Sequence, residues 1–466
     1  MALGYSGAVI ASAAVGFIAM PVATRVFSAE ALGRVGVFNA WLMALQVGVL
    51  FGLDQAYLRF RGSPDSRGGT GGLLRRCLVV SGGILAMVGA GVVAFRSEVA
   101  IAVVGEPHLW VPFALTLAVG GAVAQRYASI ETRVSRRVWA FAVVTVGSTL
   151  LTRGLYIMAG FLPSAVGLEV LLLGIGYCAA GVLAIACIWK TLGEPKSPTA
   201  IPLGSIFRFS TPFVVSGSFS LVSVSLTPIY LSWELGLAQV GQFNSGLALA
   251  SILSILQVGI LSYWIPYVYA NAEAQAERIR SVHHAIFWAM VGTGLILILT
   301  SGPLFLLVGQ EFRIAEQYFG VLLAVHAFNL LAEIGGVGLP LAKRTTPYSL
   351  ALVAGSCLTL LTLLLTVPTW GMGGAAFSLL AGSALTAIVR LSYGVRHFRP
   401  FSSLARPITA LTLLVIAACV RSVTFSLDLG MVGEAGILIA ILVWIGIGRP
   451  EIRTITLLLR AKHPLG

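Results

Sequence analysis

The chain has 466 residues, of which 58% are hydrophobic and only 10% are charged, and its formal net charge is +13. Soluble domains carry about 25% charged residues, so one water-soluble core cannot bury this much apolar surface. The composition predicts an integral membrane protein. Long continuous apolar runs favour membrane-spanning helices over a transmembrane barrel, whose strands would alternate in segments of about ten residues. Binding of nucleic acid is not expected, because the sequence offers no soluble basic face.

Cysteine and histidine patterns give no reason to expect a disulfide framework, a metal site or a bound cofactor. The cysteines lie in apolar runs without a closely spaced pair. His283 and His284 are adjacent, whereas metal ligands on a helix are three or four residues apart. The first residues contain no basic segment before the apolar run, so we expect a retained first helix and not a cleaved signal peptide.

Fourteen apolar runs are bounded by charged residues, glycine or proline, and counts of twelve or thirteen remain open. Each run is near the roughly 20 residues that a membrane-spanning helix needs. The predicted spans are 3–24, 35–57, 77–95, 109–127, 138–160, 166–189, 209–232, 240–264, 285–308, 318–341, 349–367, 374–394, 407–424 and 431–448.

Basic residues indicate the orientation of these spans. Most of the 30 Lys and Arg residues fall in alternate connections, which are cytoplasmic if both termini are inside, as the positive-inside rule requires for an even number of spans. We therefore predict a multi-pass protein with two cytoplasmic termini. Six arginines lie outside this pattern: Arg25, Arg34, Arg96, Arg153, Arg313 and Arg421.

An internal repeat indicates that the molecule is built twice. The sequence VGVFN at Val35 to Asn39 returns as VGQFN at Val240 to Asn244, with six predicted spans between the copies. An even number of spans gives both copies the same orientation, so a pseudo-two-fold axis along the membrane normal would relate them. The predicted fold is all-α, with about 14 transmembrane helices in two six-helix lobes plus two C-terminal helices. The predicted domains are lobe 1–190, a cytoplasmic linker 191–205, lobe 206–394, and a segment 395–466 with the last two spans and a cytoplasmic tail.

Four stretches resemble the polysaccharide transporter branch, the Wzx-type oligosaccharide flippases, of the multidrug/oligosaccharidyl-lipid/polysaccharide (MOP) superfamily. They are PVATRVFSAEALGRVGVFNAW at 21–41, FGLDQAYLRF at 51–60, RFSTPFVVSGSFS at 208–220 and GMGGAAFSLLAG at 371–382. The resemblance implies a bacterial inner-membrane protein that moves a polyprenyl-diphosphate-linked oligosaccharide outward by alternating access, for surface polysaccharide synthesis. It implies membrane lipids as surroundings and a polysaccharide polymerase or export machinery as potential partners. We expect a monomer to be functional.

The second predicted span carries a polar stripe of Asn39, Gln46 and Asp54. At 100° per residue these side chains fall within about 80° of one helix face, which is typical of a cavity-lining position. Asn39 and Asp54 are equally well explained as polar groups at the membrane interface. Gln46 lies in the middle of the span and is harder to explain in this way.

The tenth predicted span carries His326, Asn329 and Glu333 at spacings of three and four, so they share one helix face. Either these groups line a cavity or they hold a neighbouring helix by hydrogen bonds. In the cavity interpretation Asp54, His326 and Glu333 are candidates for coupling transport to H⁺ or Na⁺.

Arginines near or inside the membrane are candidate ligands for a diphosphate, because the planar guanidinium matches phosphate oxygens. Arg25 ends the first span, and Arg153 lies roughly 22 Å along a path of about 30 Å through the fifth. Arg59 and Arg126 lie at predicted cytoplasmic ends, where the positive-inside rule alone explains them. In the eighth span Asn244 and Gln257 are candidates for binding sugar hydroxyl groups.

Three other functions remain open at this point. An ion-coupled multidrug or cation antiporter of the same superfamily would have the same lobes, and a flippase for the peptidoglycan lipid precursor would differ only in its cargo. A membrane-embedded polymerase or ligase is disfavoured, because such enzymes place their chemistry on long loops or acidic metal motifs, which this sequence lacks. We therefore predict a transporter and not an enzyme.

Overall fold

A computed structural model describes residues 2–61, 70–162, 166–193, 202–221, 225–427, 429–448 and 450–451. The chain folds into helices, and this confirms the predicted all-α class. Most of the predicted linker, at 194–201, and most of the predicted C-terminal tail, at 452–466, lie outside the described residues. By contact density the chain forms two compact units, Met1–Gly241 and Gln242–Gly466.

The first unit, called unit 1 below, is built of eleven described helices and the beginning of a twelfth. They are α1 Ala2–Val26, α2 Ala29–Leu50, α3 Leu53–Phe60, α4 Thr70–Ala94, α5 Arg96–Val104, α6 Val111–Val134, α7 Val138–Ala142, α8 Ser148–Ala159, α9 Leu168–Leu192, α10 Leu203–Leu221, α11 Thr227–Glu234 and α12 Leu237–Asn271. A π-helical turn, Val143–Gly147, joins α7 to α8. Helix α6 packs against α9, and α8 also packs against α9, so these three helices form the centre of the unit.

The second unit, called unit 2 below, contains the rest of α12 and eight further described helices. They are α13 Ala276–Leu299, α14 Ser301–Phe305, α15 Glu316–Gly336, α16 Gly338–Leu341, α17 Thr345–Trp370, α18 Met372–Gly394, α19 Ala405–Ser426 and α20 Gly430–Ile447. A short 3₁₀ helix, Gln310–Ala315, precedes α15. Helix α15 is central, since it packs against α18, α19 and α13. The predicted lobe and linker boundaries differ from this contact division, and they stay a prediction.

Twelve helices in the described part of the chain are long and apolar enough to cross a membrane. The two remaining predicted spans fall on α6 and on the pair α10 and α11. Helix α6 is long enough to cross, but Gln125 and Arg126 reduce its hydropathy. The protein is therefore a multi-pass membrane protein.

The second predicted span is not one continuous helix, and this part of the prediction was wrong. Helix α2 begins at Ala29 and ends at Leu50, after which Phe51 and Gly52 adopt left-handed φ values of 44° and 68°. Left-handed backbone is costly for a residue with a Cβ atom, so this break is imposed by its surroundings and not by Phe51. Ser28 caps the start of α2, since its hydroxyl accepts a hydrogen bond from the Ala31 amide.

Two glycines let the beginnings of the repeated segments approach each other within unit 1. A Cβ atom on Gly33 would lie 1.8 Å from the Leu237 carbonyl oxygen, and one on Gly241 would lie 2.0 Å from the Ala29 carbonyl oxygen. Any larger residue would push the backbones apart. The start of α2 and the start of α12 are thus in direct backbone contact.

Candidate functional site

Asn39 lies in a polar chain that connects α2, α9 and α8. Its Nδ2 donates to the Val35 carbonyl at 2.9 Å, and its Oδ1 accepts from the Tyr177 hydroxyl at 3.0 Å. The guanidinium of Arg153 lies within electrostatic range of Tyr177, and its Cζ lies 5.9 Å from the centre of the Tyr156 ring. The structure therefore brings two predicted residues, Asn39 and Arg153, together around Tyr177.

Gln46 binds a neighbouring helix. Its Nε2 donates to the Ala122 carbonyl of α6 at 3.0 Å, and the residue is half-buried. This bond joins α2 to α6. The side-chain carbonyl of Gln46 still has acceptor capacity for a cargo hydroxyl group.

Asp54 and Arg126 form an ion pair with unequal exposure. Arg126 Nε and Nη2 lie 3.0 and 2.9 Å from Asp54 Oδ2, and Gln55 Nε2 donates to the same oxygen at 3.0 Å. The Asp54 side chain is 8% exposed, whereas that of Arg126 is 46% exposed. Because a guanidinium has five N–H donors, the outer ones can bind an anion while Asp54 holds the inner ones. Arg133, which is exposed two turns further along α6, lies within electrostatic range of Arg126.

A sealed cluster, called the Glu131 cluster here, lies near the end of α6. Arg61 holds the Glu131 carboxylate with two nitrogens, Nε to Oε2 and Nη2 to Oε1, both at 2.8 Å. The hydroxyl groups of Tyr57 and Ser135 also donate to this carboxylate. The Glu131 side chain is 1% exposed, so its oxygens are satisfied within the protein. Sequence reasoning missed this cluster, although an acid inside an apolar helix is itself a signal for a partner.

Arg25 and Arg59 lie at helix ends. Arg25 is exposed in the last turn of α1, and Arg59 is exposed in the last turn of α3. Both positions fit binding of the phosphate head group of a cargo, and both also fit the ordinary enrichment of basic residues at a membrane surface. They stay predictions.

Glu333 forms the centre of the main polar site of unit 2, called the Glu333 cluster here. Arg390 Nη1 lies 2.6 Å from Glu333 Oε1, and the Tyr348 hydroxyl donates to Oε2 at 3.0 Å. The Arg390 guanidinium also lies 3.7 Å from the centre of the Tyr348 ring, a cation–π distance. The Glu333 side chain is 39% exposed, while that of Arg390 is 7% exposed. The carboxylate is therefore the accessible member of the pair.

His326 and Asn329 lie on α15 with Glu333, as the spacing predicts. His326 is half-buried, and its Nε2 is buried without a hydrogen-bond partner among the described residues. Asn329 is exposed. Asn244 and Gln257 lie half-buried on α12, and within the described ranges no hydrogen bond joins them to the α15 residues. The structure thus groups Glu333 with Tyr348 and Arg390, which sequence reasoning did not select.

Two arginines that break the positive-inside pattern are used in buried ion pairs. Arg34 Nε lies 2.6 Å from Glu169 Oε1 and joins α2 to α9. Arg421 donates to Glu316, whose Oε1 also accepts from the Ser301 hydroxyl at 2.8 Å, so α19 is held to α15. These residues are explained by structure, since a buried charge requires a partner.

The fold is that of a multi-pass helical membrane protein, and comparisons with known proteins define its relatives. A family model described as "Polysaccharide biosynthesis protein" matches residues 2–272, more than half of the chain. The chain belongs to this family. No curated protein matches it by sequence.

Solved structures show the same fold at low sequence identity. The lipid II flippase MurJ, in an inward closed conformation, matches with a TM-score of 0.70 and 12% identity over 97% of this chain and 99% of MurJ. The Vibrio cholerae MATE transporter VcmN, solved as a variant, matches with a TM-score of 0.60 and 13% identity over 86% and 97% of the two chains. An inward-facing multidrug resistance MATE transporter of the MOP superfamily matches with a TM-score of 0.58 and 14% identity. The match covers 82% of this chain and 94% of that transporter. The predicted family is confirmed.

Proposed function

We propose that the protein is a flippase that moves a polyprenyl-diphosphate-linked oligosaccharide across the bacterial cytoplasmic membrane by alternating access. Its termini lie in the cytoplasm, a monomer is the functional unit, and the two lobes predicted from the repeat are its moving parts. Two findings support this proposal together. The chain belongs to a polysaccharide biosynthesis family, and its fold is shared with a lipid flippase along nearly its whole length.

The half-exposed guanidinium of Arg126 is the observation that best supports an anionic cargo. Asp54 fixes the inner nitrogens of Arg126, so the outer nitrogens are already oriented before a ligand arrives. Arg133 adds positive potential nearby. A diphosphate accepts parallel N–H bonds from such a fork, whereas an organic cation would be repelled. Arg25, Arg59 and Arg153 are the other proposed contacts for the diphosphate.

Neutral side chains are proposed to contact the sugars. Gln46 has a free carbonyl lone pair, and Asn244 and Gln257 are half-buried amides on α12. Amides suit this role, because each donates and accepts hydrogen bonds as sugar hydroxyl groups do. Asn39 is already bonded through both of its polar atoms, so we assign it to holding Tyr177 beside Arg153.

Coupling to H⁺ or Na⁺ is proposed at Glu333, since its carboxylate is accessible and has a buried arginine as its resting partner. A cation arriving at Glu333 would compete with Arg390 for the carboxylate. Asp54 and His326 remain secondary candidates. Asp54 is covered by Arg126, and His326 lies deeper along α15 with an unpartnered Nε2.

Leaflet-specific analysis of lipid-linked oligosaccharide tests the proposal in cells. Deletion of the gene should leave the oligosaccharide on the cytoplasmic leaflet, and a plasmid copy should restore its export. An Arg126→Gln copy should fail to restore export, whereas Arg137→Gln, which removes another exposed arginine near the same end of unit 1, should succeed. An unchanged leaflet distribution after deletion would refute the flippase proposal. Rescue of a strain depleted of its peptidoglycan precursor flippase would instead identify that precursor as the cargo.

A further inference from the structure

An open cleft of about 720 Å³ lies within unit 1, and its lining does not include the Asp54–Arg126 pair or the Glu131 cluster. Its walls are the first turn of α2, the short helix α5, the end of α11 and the start of α12. The α1–α2 corner, the α4–α5 corner and the α11–α12 corner all lie at this end of the unit. This is the end that the positive-inside pattern predicts to face away from the cytoplasm. The volume falls in the range of about 300–1,000 Å³ that is typical of small-molecule sites.

Backbone features specific to this sequence hold the cleft open. Gly105 ends α5 with φ +88°, and Gly236 forms the turn between α11 and α12 with φ +94°, both of which disfavour a side chain. The Leu237 carbonyl oxygen lies against Gly33, which fixes the start of α12 on α2. The contact between α2 and α12 therefore fixes one side of the cleft.

The side chains that line the cleft combine one aromatic face with several hydrogen-bonding groups. Trp233 is 67% exposed, so most of its indole surface is available to a ligand. Glu98 is exposed in the first turn of α5, and Glu30 is exposed while it also holds Arg34 at 3.2 Å. The Gln239 amide lies beside the Gly236 turn, where Oε1 would be 3.6 Å from a Cβ atom on that glycine.

We propose that this cleft is a docking subsite for a sugar ring of the cargo, reached at the outward end of the transport route. The inference rests on the proposed function. An indole face binds the apolar C–H face of a sugar ring, and carboxylates and an amide accept and donate hydrogen bonds to its hydroxyl groups. The cleft lacks an arginine or lysine among its lining residues, so it suits the sugars and not the diphosphate.

Two other roles explain part of the same observations. Tryptophans are common at the membrane–water interface, and an anchor of this kind needs no ligand. The two carboxylates would also suit an organic cation. The sugar subsite differs from both, because it requires the Trp233 ring face together with the hydrogen-bonding groups of the cleft.

Binding of free oligosaccharide to the purified full-length protein in nanodiscs tests the subsite. The probe is the oligosaccharide that mild acid releases from the lipid-linked pool of the source cells, and binding is followed by calorimetry or saturation-transfer NMR. Trp233→Ala should weaken binding about tenfold or more, whereas Trp233→Phe should retain most of it because the ring face remains. Glu98→Gln exchanges a charged acceptor for an amide, so it should weaken sugar binding less than Trp233→Ala does. Trp370→Ala, which removes an exposed tryptophan outside the cleft, should bind like the unmodified protein.

The results described next would overturn the proposal that the cleft binds a sugar. Absence of binding to the unmodified protein would do so, as would equal binding by Trp233→Ala and Trp370→Ala. Binding of tetraphenylphosphonium that Glu98→Gln abolishes, without sugar binding, would assign the cleft to a cation. Since the probe has no lipid, this experiment is independent of flipping. Flipping without sugar binding refutes only the subsite, and sugar binding without flipping refutes only the proposed function.

Discussion

The Asp54–Arg126 pair of unit 1 and the Glu333–Arg390 pair of unit 2 use the same two charges with opposite exposure. In unit 1 the acid is buried and the base is half-exposed, while in unit 2 the base is buried and the acid is accessible. The exposed member decides which ligand each pair can take. Unit 1 presents a cation that suits a diphosphate, and unit 2 presents a carboxylate that suits a proton or a metal cation.

The Glu131 cluster is a useful reference because both of its charges are largely covered. Arg61, Tyr57 and Ser135 satisfy the Glu131 carboxylate, whose side chain is 1% exposed, and the Arg61 side chain is 16% exposed. Charge within a membrane helix is therefore not by itself a sign of transport. Exposure of one partner is what separates a binding pair from a structural one.

The largest expected effect is on stability, from Glu131→Gln. The change removes the carboxylate that Arg61 holds with two nitrogens in a mostly buried site, so the free energy of unfolding should fall by about 3–5 kcal/mol. Thermal unfolding in detergent measures this. The double variant Glu131→Gln with Arg61→Met should recover much of the loss, since no charge then stays buried. A single variant as stable as the unmodified protein would mean that the cluster is hydrated and not sealed.

The next effect is on cargo binding, from Arg126→Gln. Loss of a charge-assisted bidentate contact to phosphate should weaken binding of the polyprenyl-diphosphate cargo by about 2–3 kcal/mol. It should also lower stability, because the buried Asp54 carboxylate keeps the Gln55 hydrogen bond but loses its charged partner. Binding of the lipid-linked cargo to purified protein is the measurement. Arg126→Lys should recover part of the affinity, since a point charge remains. Equal affinities for all three proteins would remove Arg126 from the cargo site.

A smaller effect is expected on coupling, from Glu333→Gln. This variant should flip cargo with little dependence on pH or Na⁺, and it should slow flipping about tenfold at the most favourable condition, which corresponds to about 1.4 kcal/mol. Rates in vesicles across a pH and Na⁺ series provide the readout. Asn329→Ala removes a neighbouring exposed polar group and should keep the normal dependence. An unchanged pH and Na⁺ profile in Glu333→Gln would exclude coupling at this carboxylate.

The last prediction compares two tyrosines, Tyr348 and Tyr57, which donate hydrogen bonds to Glu333 and Glu131. Tyr348→Phe removes a hydrogen bond to a half-exposed carboxylate and should cost about 0.5–1 kcal/mol, because water can take its place. Tyr57→Phe removes a bond to a buried carboxylate and should cost more, about 1.5–3 kcal/mol. Thermal unfolding of both variants gives the difference directly. If Tyr348→Phe were the more damaging change, the assignment of Glu333 as the accessible acid would be wrong.

Much of the fold could be predicted from the sequence. The length of each apolar run and the placement of Lys and Arg between the runs can be read directly from the residues. The all-helical class is confirmed, and the fold is shared with the solved structures of MurJ and of a MATE transporter. The break at Phe51 and Gly52 was missed, since a left-handed phenylalanine is produced by tertiary contacts that no local pattern records. The π-helical turn before α8 was missed for the same reason.

The candidate site was less predictable. Helical spacing correctly placed His326, Asn329 and Glu333 on one helix. It could not find Arg390 or Tyr348, because they are distant in sequence and meet Glu333 only through the contacts of α15, α17 and α18. Arg126 was selected as a basic residue at a span end, but its pairing with Asp54 depends on the break that separates α3 from α2.

Flipping by the purified protein in lipid vesicles is the decisive measurement. The vesicles carry the same oligosaccharide on a polyprenyl diphosphate or on a polyprenyl monophosphate, and an external glycosidase reports how much reaches the outer leaflet. The protein should move the diphosphate form, move the monophosphate form more slowly, and lose this preference in Arg126→Gln. Vesicles that transport tetraphenylphosphonium and move neither lipid would contradict the proposal and identify a cation transporter instead.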